Sequence, residues 1–325
     1  MTKVVRIHET GGPEKLIYED VDVGKPGKGQ ARLRQTVIGL NYIDVYHRSG
    51  LYPVPFDLPL AIGTEAAGVV EEIGDDVTDV KPGDRVAYAP VIGSYAEERL
   101  IPANRLIKLP DSIDDKTAAA MLLQGMTVSY LLRRTFPVQK GQTILLYAAA
   151  GGVGLILSQW AKHLGVQVIG VVGSDAKAKL AMENGCAHTI NYSTENVPER
   201  VAEITGDAKV PVAYDSVGKN TFVDSLDCLA PMGTMVSFGN SSGALPPIDA
   251  GLLSAKGSLY FTRPGLMHHV ATRELLLDLA QSLFDVVEGG HVKIHLNQKY
   301  ALKDIQQVHK DLEARKTTGS TVLIP

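Results

Sequence analysis

The chain has 325 residues, of which 32 are basic and 36 acidic, giving a formal net charge of −4. The charges form no block of one sign, which argues against a nucleic-acid or anionic-membrane surface. No apolar run approaches the roughly 20 residues of a membrane-spanning helix. The length exceeds what one compact core usually holds and predicts two domains.

Soft metal ligands are sparse in the sequence. Cys186 and Cys228 lie among apolar or helical neighbours and have no partner at metal-ligand spacing. The nine histidines form no HExxH motif or Cys/His cluster. We therefore expect buried free thiols, no metal site and a cytoplasmic location. Residues 1–14 contain no hydrophobic signal core and predict a first strand and turn.

The first hundred residues predict an antiparallel, barrel-like β domain. Residues 31–37 alternate between apolar and polar side chains, as a half-buried strand does. Glycine and proline at residues 11–13, 26–27 and 81–84 mark frequent turns. A helix is predicted over residues 116–132.

Residues 141–162 combine a buried strand, a turn of small residues and a helix that we expect to begin at Leu155. The turn has the pattern Ala149-x-Gly151-x-x-Gly154, in which alanine replaces the first glycine of the dinucleotide-binding pattern. A helix N-terminus favours an anion, and missing side chains let a pyrophosphate approach the backbone. The flanking strand and helix favour a dinucleotide site over a merely tight strand–helix contact.

The end of the second predicted strand, residues 166–172, lacks the acid that NAD-binding sheets usually carry. That acid stands about 20 residues after the glycine turn and hydrogen-bonds the ribose hydroxyls. Neither Val172 nor Gly173 is acidic, and Asp175 comes slightly late. The missing acid favours NADP over NAD.

Three polar residues near this strand end can bind the 2′-phosphate that distinguishes NADP. Ser174 and Lys177 follow the strand directly, with the lysine as a point charge. Tyr192, after the third predicted strand, can close the pocket. The alternative is that Lys177 and Lys179 belong only to a solvated helix face.

Residues 141–263 alternate strands and helices, the pattern of an α/β doubly wound parallel sheet. The predicted strands are residues 143–147, 168–172, 188–190, 210–215, 233–238 and 258–262, and the helices between them include residues 175–184 and 197–206. After Pro264 we predict helices over residues 272–288 and 302–314, a short strand between them, and a last strand over residues 320–324. We expect this tail to return to the first domain.

These motifs resemble the medium-chain dehydrogenase/reductase superfamily, and within it the bacterial zeta-crystallin-like NADPH:quinone oxidoreductases. Residues 151–162 resemble the quinone-reductase signature, and residues 63–74 and 83–86 resemble the first-domain motifs. Residues 41–44, 49–52 and 237–243 are similar to the bacterial quinone reductases in particular. The resemblance covers essentially the whole chain.

The resemblance implies a two-domain fold. Residues 125–263 would form a Rossmann dinucleotide-binding domain with a six-stranded, doubly wound parallel sheet. Residues 1–124 and 264–325 would form a GroES-like catalytic domain, mainly an antiparallel β-barrel.

The chain departs from the zinc alcohol dehydrogenases of the same superfamily. It has Asn41 and Thr64 where those enzymes have a cysteine and a histidine ligand, and no cysteine between Gly83 and Tyr95, where the structural zinc loop falls. A catalytic zinc needs about three protein ligands. The resemblance therefore implies hydride transfer from NADPH to an electron-poor quinone, with the protein supplying binding, orientation and exclusion of water.

The resemblance implies that Asn41, Asp44, Tyr46 and Tyr52 face the catalytic cleft, with Arg263 at the end of the sixth strand. Tyr46 and Tyr52 are candidate proton donors to the quinone oxygen, and solvent is the alternative. Tyr52 can also serve only to pack its loop. Asp44 can be a structural acceptor rather than an acid.

The implied cofactor contacts lie at the glycine turn and at the carboxyl ends of the strands, where ligands of such sheets bind. They are Asn41, Tyr46, Thr127, Ala150, Gly151, Gly152, Val153, Gly154, Gly173, Ser174, Lys177, Tyr192, Ser216, Phe238, Gly239, Asn240, Ser241, Phe261, Thr262, Arg263 and Arg315. Thr127 is expected near the nicotinamide or the diphosphate. Arg315 can equally be a solvated charge.

Three functions remain open under this resemblance. The leading one is a quinone reductase, and an NADPH-dependent reductase of activated alkenes such as enals and enones is the close alternative. The third is a non-catalytic, NADPH-binding or RNA-binding crystallin-like protein. The net charge of −4 and the lack of a basic stripe argue against RNA.

The resemblance also implies a homodimer. Residues 257–261 would form an apolar edge strand of the nucleotide-binding sheet. An unpaired apolar edge is an aggregation hazard, and pairing with its two-fold mate would extend the sheet across a symmetric interface.

Overall fold

The computed structural model describes residues 1–54 and 57–325, which form two compact units. The first unit holds residues 1–126, 270–284 and 294–325, and the second holds residues 127–269 and 285–293. Among the described residues, no helix is long and apolar enough to cross a membrane.

The elements up to the first long helix are mostly strands. They are β1 (Thr2–Ile7), β2 (Ile17–Val21), β3 (Gln30–Leu40), α1 (Tyr42–Ser49), β4 (Leu60–Ala61), β5 (Glu65–Ile73), β6 (Arg85–Tyr88), β7 (Glu98–Pro102), β8 (Ile107–Lys108) and α2 (Asp115–Tyr130). A π-helical turn over Leu131–Thr135 follows α2.

Strands and helices then alternate. They are β9 (Thr143–Tyr147), α3 (Gly152–His163), β10 (Gln167–Val172), α4 (Asp175–Glu183), β11 (His188–Asn191), α5 (Val197–Thr205), β12 (Val210–Asp215), α6 (Phe222–Asp227), β13 (Leu229–Ser237), α7 (Ala250–Ala255) and β14 (Tyr260–Thr262). The chain ends with α8 (Leu266–His269), α9 (Arg273–Glu288), β15 (Leu296–Ala301), α10 (Ile305–Glu313) and β16 (Ser320–Ile324).

The second unit is built on a parallel sheet. Within residues 143–262, all of them described, six strands pair in the order β11-β10-β9-β12-β13-β14, and every pairing is parallel. The strand order reverses its direction between β9 and β12, and ligands of such sheets bind outside the carboxyl ends of the strands at this switch point. The predicted doubly wound fold is confirmed.

The first unit is built on a mainly antiparallel sheet. Its strands pair in the order β15-β16-β3-β5-β6-β8, and β7 also pairs with β3. Among these pairings, β15 with β16 is parallel. A smaller sheet has the order β2-β1-β4. The predicted antiparallel architecture of this part is confirmed.

Each unit has its own apolar core, as two packed layers require. In the first unit the core includes Leu33 and Ile38 from β3 and Val86 from β6. In the second it includes residues from the two strands that flank the switch point, Leu145 and Ala213. These cores hold the strand ends, and therefore the loops that follow them, in fixed positions.

Several element boundaries differ from the sequence predictions; β13, for example, begins at Leu229 rather than at residue 233. The predicted strand over residues 258–262 begins only at Tyr260, because Gly257 and Ser258 have φ values of +114° and +57°, which no strand allows. The predicted helix at Leu155 begins at Gly152, so the turn of small residues is shorter than expected.

Candidate active site

The glycine turn of the second unit lies at the switch point. β9 ends at Tyr147, and the chain passes through Ala148, with φ +55°, before α3 begins at Gly152. A Cβ added at Gly154 would lie 2.4 Å from the carbonyl oxygen of Ala148. A larger residue therefore requires the first turn of α3, which includes Val153, to move away from the strand.

Gly151 leaves space for a ligand. It is the N-cap of α3 and gives the helix no side-chain hydrogen bond. Among the described residues outside the adjacent chain, an added Cβ at Gly151 would have the carbonyl oxygen of Ala148 at 3.3 Å, a tight contact, and no other atom within 4 Å, so the space on the other sides is open. The amides of the first helical turn and the helix dipole favour an anion at this end. The turn, with Ala150 buried behind it, fits a dinucleotide pyrophosphate.

Gly173, Ser174, Lys177 and Tyr192 come together at the carboxyl ends of β10 and β11. The Oγ of Ser174 caps α4 by accepting from the backbone N–H of Lys177 at 3.4 Å. A Cβ added at Gly173 would lie 2.5 Å from the hydroxyl of Tyr192, whose side chain is 46% exposed. The strand end thus presents a hydroxyl, an ammonium and a phenol within one short stretch of surface, a set that suits a phosphate.

Asp215 fixes the loop after β12, a role that the sequence patterns did not single out. Its Oδ1 accepts from the backbone N–H groups of Val217, at 2.7 Å, and Gly218, at 3.0 Å. Its Oδ2 accepts from the hydroxyls of Thr221, at 2.6 Å, and Ser225, at 2.8 Å. Both carboxylate oxygens are therefore satisfied, and the loop that carries Ser216 is held at the strand end.

Arg263 ties the end of β14 to the loop after β13. Its Nη1 donates to Ser237 Oγ at 3.1 Å and to the carbonyl oxygen of Gly239 at 3.0 Å. With the amide oxygen of Asn240 facing the guanidinium, that oxygen accepts from Nη2 at 3.2 Å. A Cβ added at Gly239 would lie 2.4 Å from the carbonyl oxygen of Ser216, so the two loops are in close contact. Arg263 thus binds the loop that carries several of the expected cofactor contacts.

The other expected cofactor residues of the second unit are spread around these loops. The backbone N–H of Ser241 donates to the carbonyl oxygen of Ser216 at 3.2 Å. Phe261 packs edge-on against Phe222, with ring centroids 6.1 Å apart, beside the apolar core. Phe238 follows β13, Thr262 ends β14, and Thr127 is a buried residue of α2.

Asn41 is the N-cap of α1 in the first unit, and its side chain is held on both sides. Its Nδ2 donates to Glu65 Oε2 at 2.7 Å, and its Oδ1 accepts from Gln124 Nε2 at 3.3 Å. Glu65 also accepts from the backbone N–H of Leu123 at 2.7 Å. Burial raises the pKa of the Glu65 carboxyl to about 8.

Asp44, a residue of the first turn of α1, is fully buried. Its Oδ2 accepts from the backbone N–H of Asn41 and from the hydroxyl of Tyr95, each at 2.9 Å. Its Oδ1 accepts from Thr64 Oγ1 at 2.8 Å. Burial raises the pKa of Asp44 to about 6, although these hydrogen bonds oppose the rise. Asp44 has no exposed surface, so it cannot itself touch a bound ligand.

Tyr46 and Tyr52 form an aromatic pair with ring centroids 4.8 Å apart. The backbone N–H of Tyr52 donates to the carbonyl oxygen of Tyr46 at 3.1 Å, which holds the pair together after α1 ends. Tyr42 also packs against Tyr46, with ring centroids 5.4 Å apart. Arg315 directly follows the C-cap of α10 and has a φ of +58°.

The residues at the zinc-ligand positions are engaged in hydrogen bonds. Thr64 donates to Asp44, and the amide of Asn41 bonds to Glu65 and Gln124. In the part of the chain that the structure describes, no group of three or more histidine, cysteine or carboxylate side chains could hold a metal ion. Amide and hydroxyl groups are poor zinc ligands compared with thiolate and imidazole.

A parallel doubly wound sheet with a glycine turn at its switch point, together with a mainly antiparallel unit, defines a medium-chain dehydrogenase/reductase. The zinc-binding dehydrogenase family matches residues 152–273, and the alcohol dehydrogenase GroES-like domain family matches residues 27–111. The chain belongs to the quinone oxidoreductase family of this superfamily, as relatives over its whole length show.

Three relatives illustrate the match. A quinone oxidoreductase of Pseudomonas aeruginosa is 51% identical, with both chains fully covered. The crystal structure of Escherichia coli quinone oxidoreductase complexed with NADPH is 47% identical, with a TM-score of 0.97, covering 99% of this chain and 100% of that one. A 2-haloacrylate reductase of Burkholderia sp is 45% identical, covering 100% of this chain and 99% of the relative. The predicted family membership is confirmed.

Proposed function

We propose that this chain is a zinc-independent NADPH:quinone oxidoreductase that transfers hydride from NADPH to a small quinone. The observation that carries the proposal is the glycine turn at the switch point between β9 and β12, with space beside Gly151 for a pyrophosphate. The full-length match to quinone oxidoreductases, one of them solved with NADPH, supports the same activity.

Residues of the second unit would hold NADPH. The first turn of α3 would bind the pyrophosphate, and Ser174, Lys177 and Tyr192 would bind the 2′-phosphate. The loops around Ser216 and Gly239, held by Asp215 and Arg263, would carry the nicotinamide half. The bound cofactor supplies the hydride, and these loops contribute orientation and exclusion of water.

Residues of the first unit would receive the quinone. The rings of Tyr46 and Tyr52 are inclined at 49° to each other, and Tyr46 is only 6% exposed, so Tyr52 would make most of the aromatic contact with the quinone ring. A phenol hydroxyl of this pair, or solvent, would give the proton to the quinone oxygen. The full burial of Asp44 supports its role as an acceptor that positions Asn41 rather than as an acid.

The test is NADPH oxidation by the purified protein, with 1,4-naphthoquinone and a simple enone side by side and NADH as the cofactor control. We expect turnover of the quinone with NADPH and much less with NADH. Turnover of the enone alone would assign the protein to the activated-alkene reductases, an alternative that the 2-haloacrylate reductase relative supports. Turnover of neither, with NADPH still bound, would favour a non-catalytic crystallin-like role.

We further propose a cytoplasmic homodimer that pairs through the edge of the second unit's sheet. Among the described residues, β14 pairs with β13 on one side, and its Tyr260 is 62% exposed. The paired segment of the expected edge would be Tyr260–Thr262, since Gly257 and Ser258 leave the extended conformation.

We also propose a separate function for each of the two domains. Residues 1–124 and 264–325 would form the catalytic domain, and residues 125–263 the dinucleotide-binding domain. These boundaries stay predictions.

A further inference from the structure

We propose that Arg48, His309 and Tyr95 are positioning residues, which hold the Asp44 carboxylate and through it Asn41 at the start of α1. The proposal rests on the proposed function, because one of its readouts is quinone turnover. It concerns residues of α1, α10 and the loop before β7, which meet in the core of the first unit.

The hydrogen bonds of this cluster run in one direction, toward Asp44. Arg48 Nη1 lies 3.0 Å from His309 Nδ1, and a guanidinium can only donate, so Nδ1 accepts. The neutral ring therefore carries its proton on Nε2, which lies 3.0 Å from the hydroxyl of Tyr95 and donates to it. The Tyr95 hydroxyl then gives its own proton to Asp44 Oδ2 at 2.9 Å.

Burial and the guanidinium of Arg48 keep His309 neutral. The side chain of His309 has no exposed surface, and its pKa is lowered to about 3, by desolvation first and by Arg48 second. The ring therefore keeps one tautomer over the ordinary pH range. A fixed tautomer fixes the direction of the Tyr95 hydroxyl.

Arg48 closes the outer end of the cluster. Its side chain is 2% exposed, and its Nη1 and Nη2 donate to the two carboxylate oxygens of Glu313, each at 2.9 Å. Its Nε donates to the carbonyl oxygen of Gly11 at 3.0 Å. Because arginine does not lose its proton at any ordinary pH, the cluster cannot conduct protons from the surface. The cluster can therefore only orient the Asp44 carboxylate.

Asp44 links the Arg48–His309–Tyr95 cluster to Asn41 in the candidate site. It accepts from the N–H of Asn41, the N-cap residue, so its ionised form fixes the residue that precedes Tyr42. The titratable groups that face Asp44 are Tyr95, His309 behind it, and Glu65 of β5, which shares Asn41 as a partner. Removal of a donor to the carboxylate would raise its pKa, since hydrogen bonds to the charged form favour that form.

The first test is the pH dependence of kcat with 1,4-naphthoquinone for Tyr95→Phe. We expect the acid limb of the kcat–pH profile to move to higher pH. At pH 6, kcat should fall by about tenfold, which corresponds to the free energy of one hydrogen bond to a charged group. The KM for NADPH should change less than twofold. Thr64→Val, which removes the donor to Asp44 Oδ1, should move the limb in the same direction.

The matched control is Tyr88→Phe. Tyr88 is also fully buried in the first unit, but its hydroxyl bonds to Gln35 and Arg99 instead of Asp44. It should leave the acid limb in place. An unchanged limb in both Tyr95→Phe and Thr64→Val, or an equal shift in Tyr88→Phe, would overturn the proposal.

The second test does not depend on turnover. In ¹⁵N-histidine NMR spectra we expect one imidazole that stays neutral with its proton on Nε2 from pH 8 to about pH 5, and that is missing in His309→Gln. The amide introduced by His309→Gln can still accept from Arg48 and donate to Tyr95, so this variant should keep the wild-type pH profile, whereas His309→Leu should not. A His309 ring that titrates near pH 6.5 contradicts the cluster. Absence of quinone turnover in the wild type, with this tautomer present, would refute the proposed function alone.

Discussion

The carboxylate of Asp175 accepts a hydrogen bond from Nδ2 of Asn191 at 2.7 Å, which ties the first residue of α4 to the last residue of β11. An acid at this strand end is what a ribose 2′-hydroxyl would need as a partner. Asp175 is already engaged by an amide of the protein, while Ser174 and Lys177 lie beside it. This bond directs Oδ1 of Asp175 toward β11, and the proposed 2′-phosphate site rests on Ser174 and Lys177 beside it.

Lys177→Ala should raise the KM for NADPH by about tenfold and change the KM for NADH by less than twofold. The reason is that the ammonium contributes a charge-assisted hydrogen bond that exists only with the 2′-phosphate. The measurement is steady-state kinetics with each cofactor. Lys179→Ala, two residues further along the same helix and exposed, is the control and should alter neither value. Equal effects of Lys177→Ala on both cofactors would refute the assignment.

Gly154→Ala should weaken NADPH binding and lower the thermal stability. The added methyl group would lie 2.4 Å from a backbone oxygen, so α3 must shift away from the end of β9. A shift of that size costs on the order of 1–3 kcal/mol, the range for overpacking. Binding can be followed by NADPH fluorescence and stability by calorimetry.

Gly265→Ala is the matched control for that substitution. An added Cβ there has its nearest neighbour at 3.6 Å, an ordinary contact. It should leave both the affinity and the melting temperature close to wild type. A Gly154→Ala protein with wild-type affinity would show that the turn does not bind the cofactor.

Treatment with a chelator such as EDTA should leave quinone reduction unchanged. The amide of Asn41 and the hydroxyl of Thr64 are bound to protein groups, and they are not the soft ligands that zinc prefers. The measurement compares kcat/KM before and after dialysis against the chelator. Activity that is lost and then restored by added zinc would mean that the metal ligands were misassigned.

Tyr260→Pro should shift the protein from dimer toward monomer in sedimentation velocity. Proline removes a backbone N–H and resists pairing of an edge strand with a second copy. Tyr260→Ala keeps the N–H and removes only the ring, so it separates backbone pairing from side-chain packing and should retain more dimer. A sedimentation profile unchanged by Tyr260→Pro would exclude pairing through β14.

Local patterns were enough to predict the second unit. The apolar run of β9, the glycines after it and the alternation of strands and helices are each encoded within a short stretch of sequence. The start of α3 at Gly152 was missed because small residues suggest a turn, although the first helical turn needs no side chains to form. Helix α1 was also missed, even though Asn41 and Asp44 have the spacing of an N-cap and its partner.

The interior of the candidate site could not be predicted in the same way. Tyr95 and His309 lie 214 residues apart in the sequence, and neither belongs to a sequence motif that predicts contact with the other. They come into contact because the first unit combines residues 1–126 with residues 270–284 and 294–325. Sequence patterns identified Asn41 and Asp44 as site residues, but not the buried partners that hold them.

The strand order of the first unit also bears on how the protein is made. β16, residues Ser320–Ile324, lies between β15 and β3, one strand in from the edge of the sheet. β3 is therefore synthesised roughly 280 residues before its neighbour β16. Chains are synthesised from the N-terminus at roughly 5–20 residues per second, so β3 remains without this neighbour until β16 has been made. The pairing of β3, the strand that leads into Asn41, is completed only when residues 320–324 have left the ribosome.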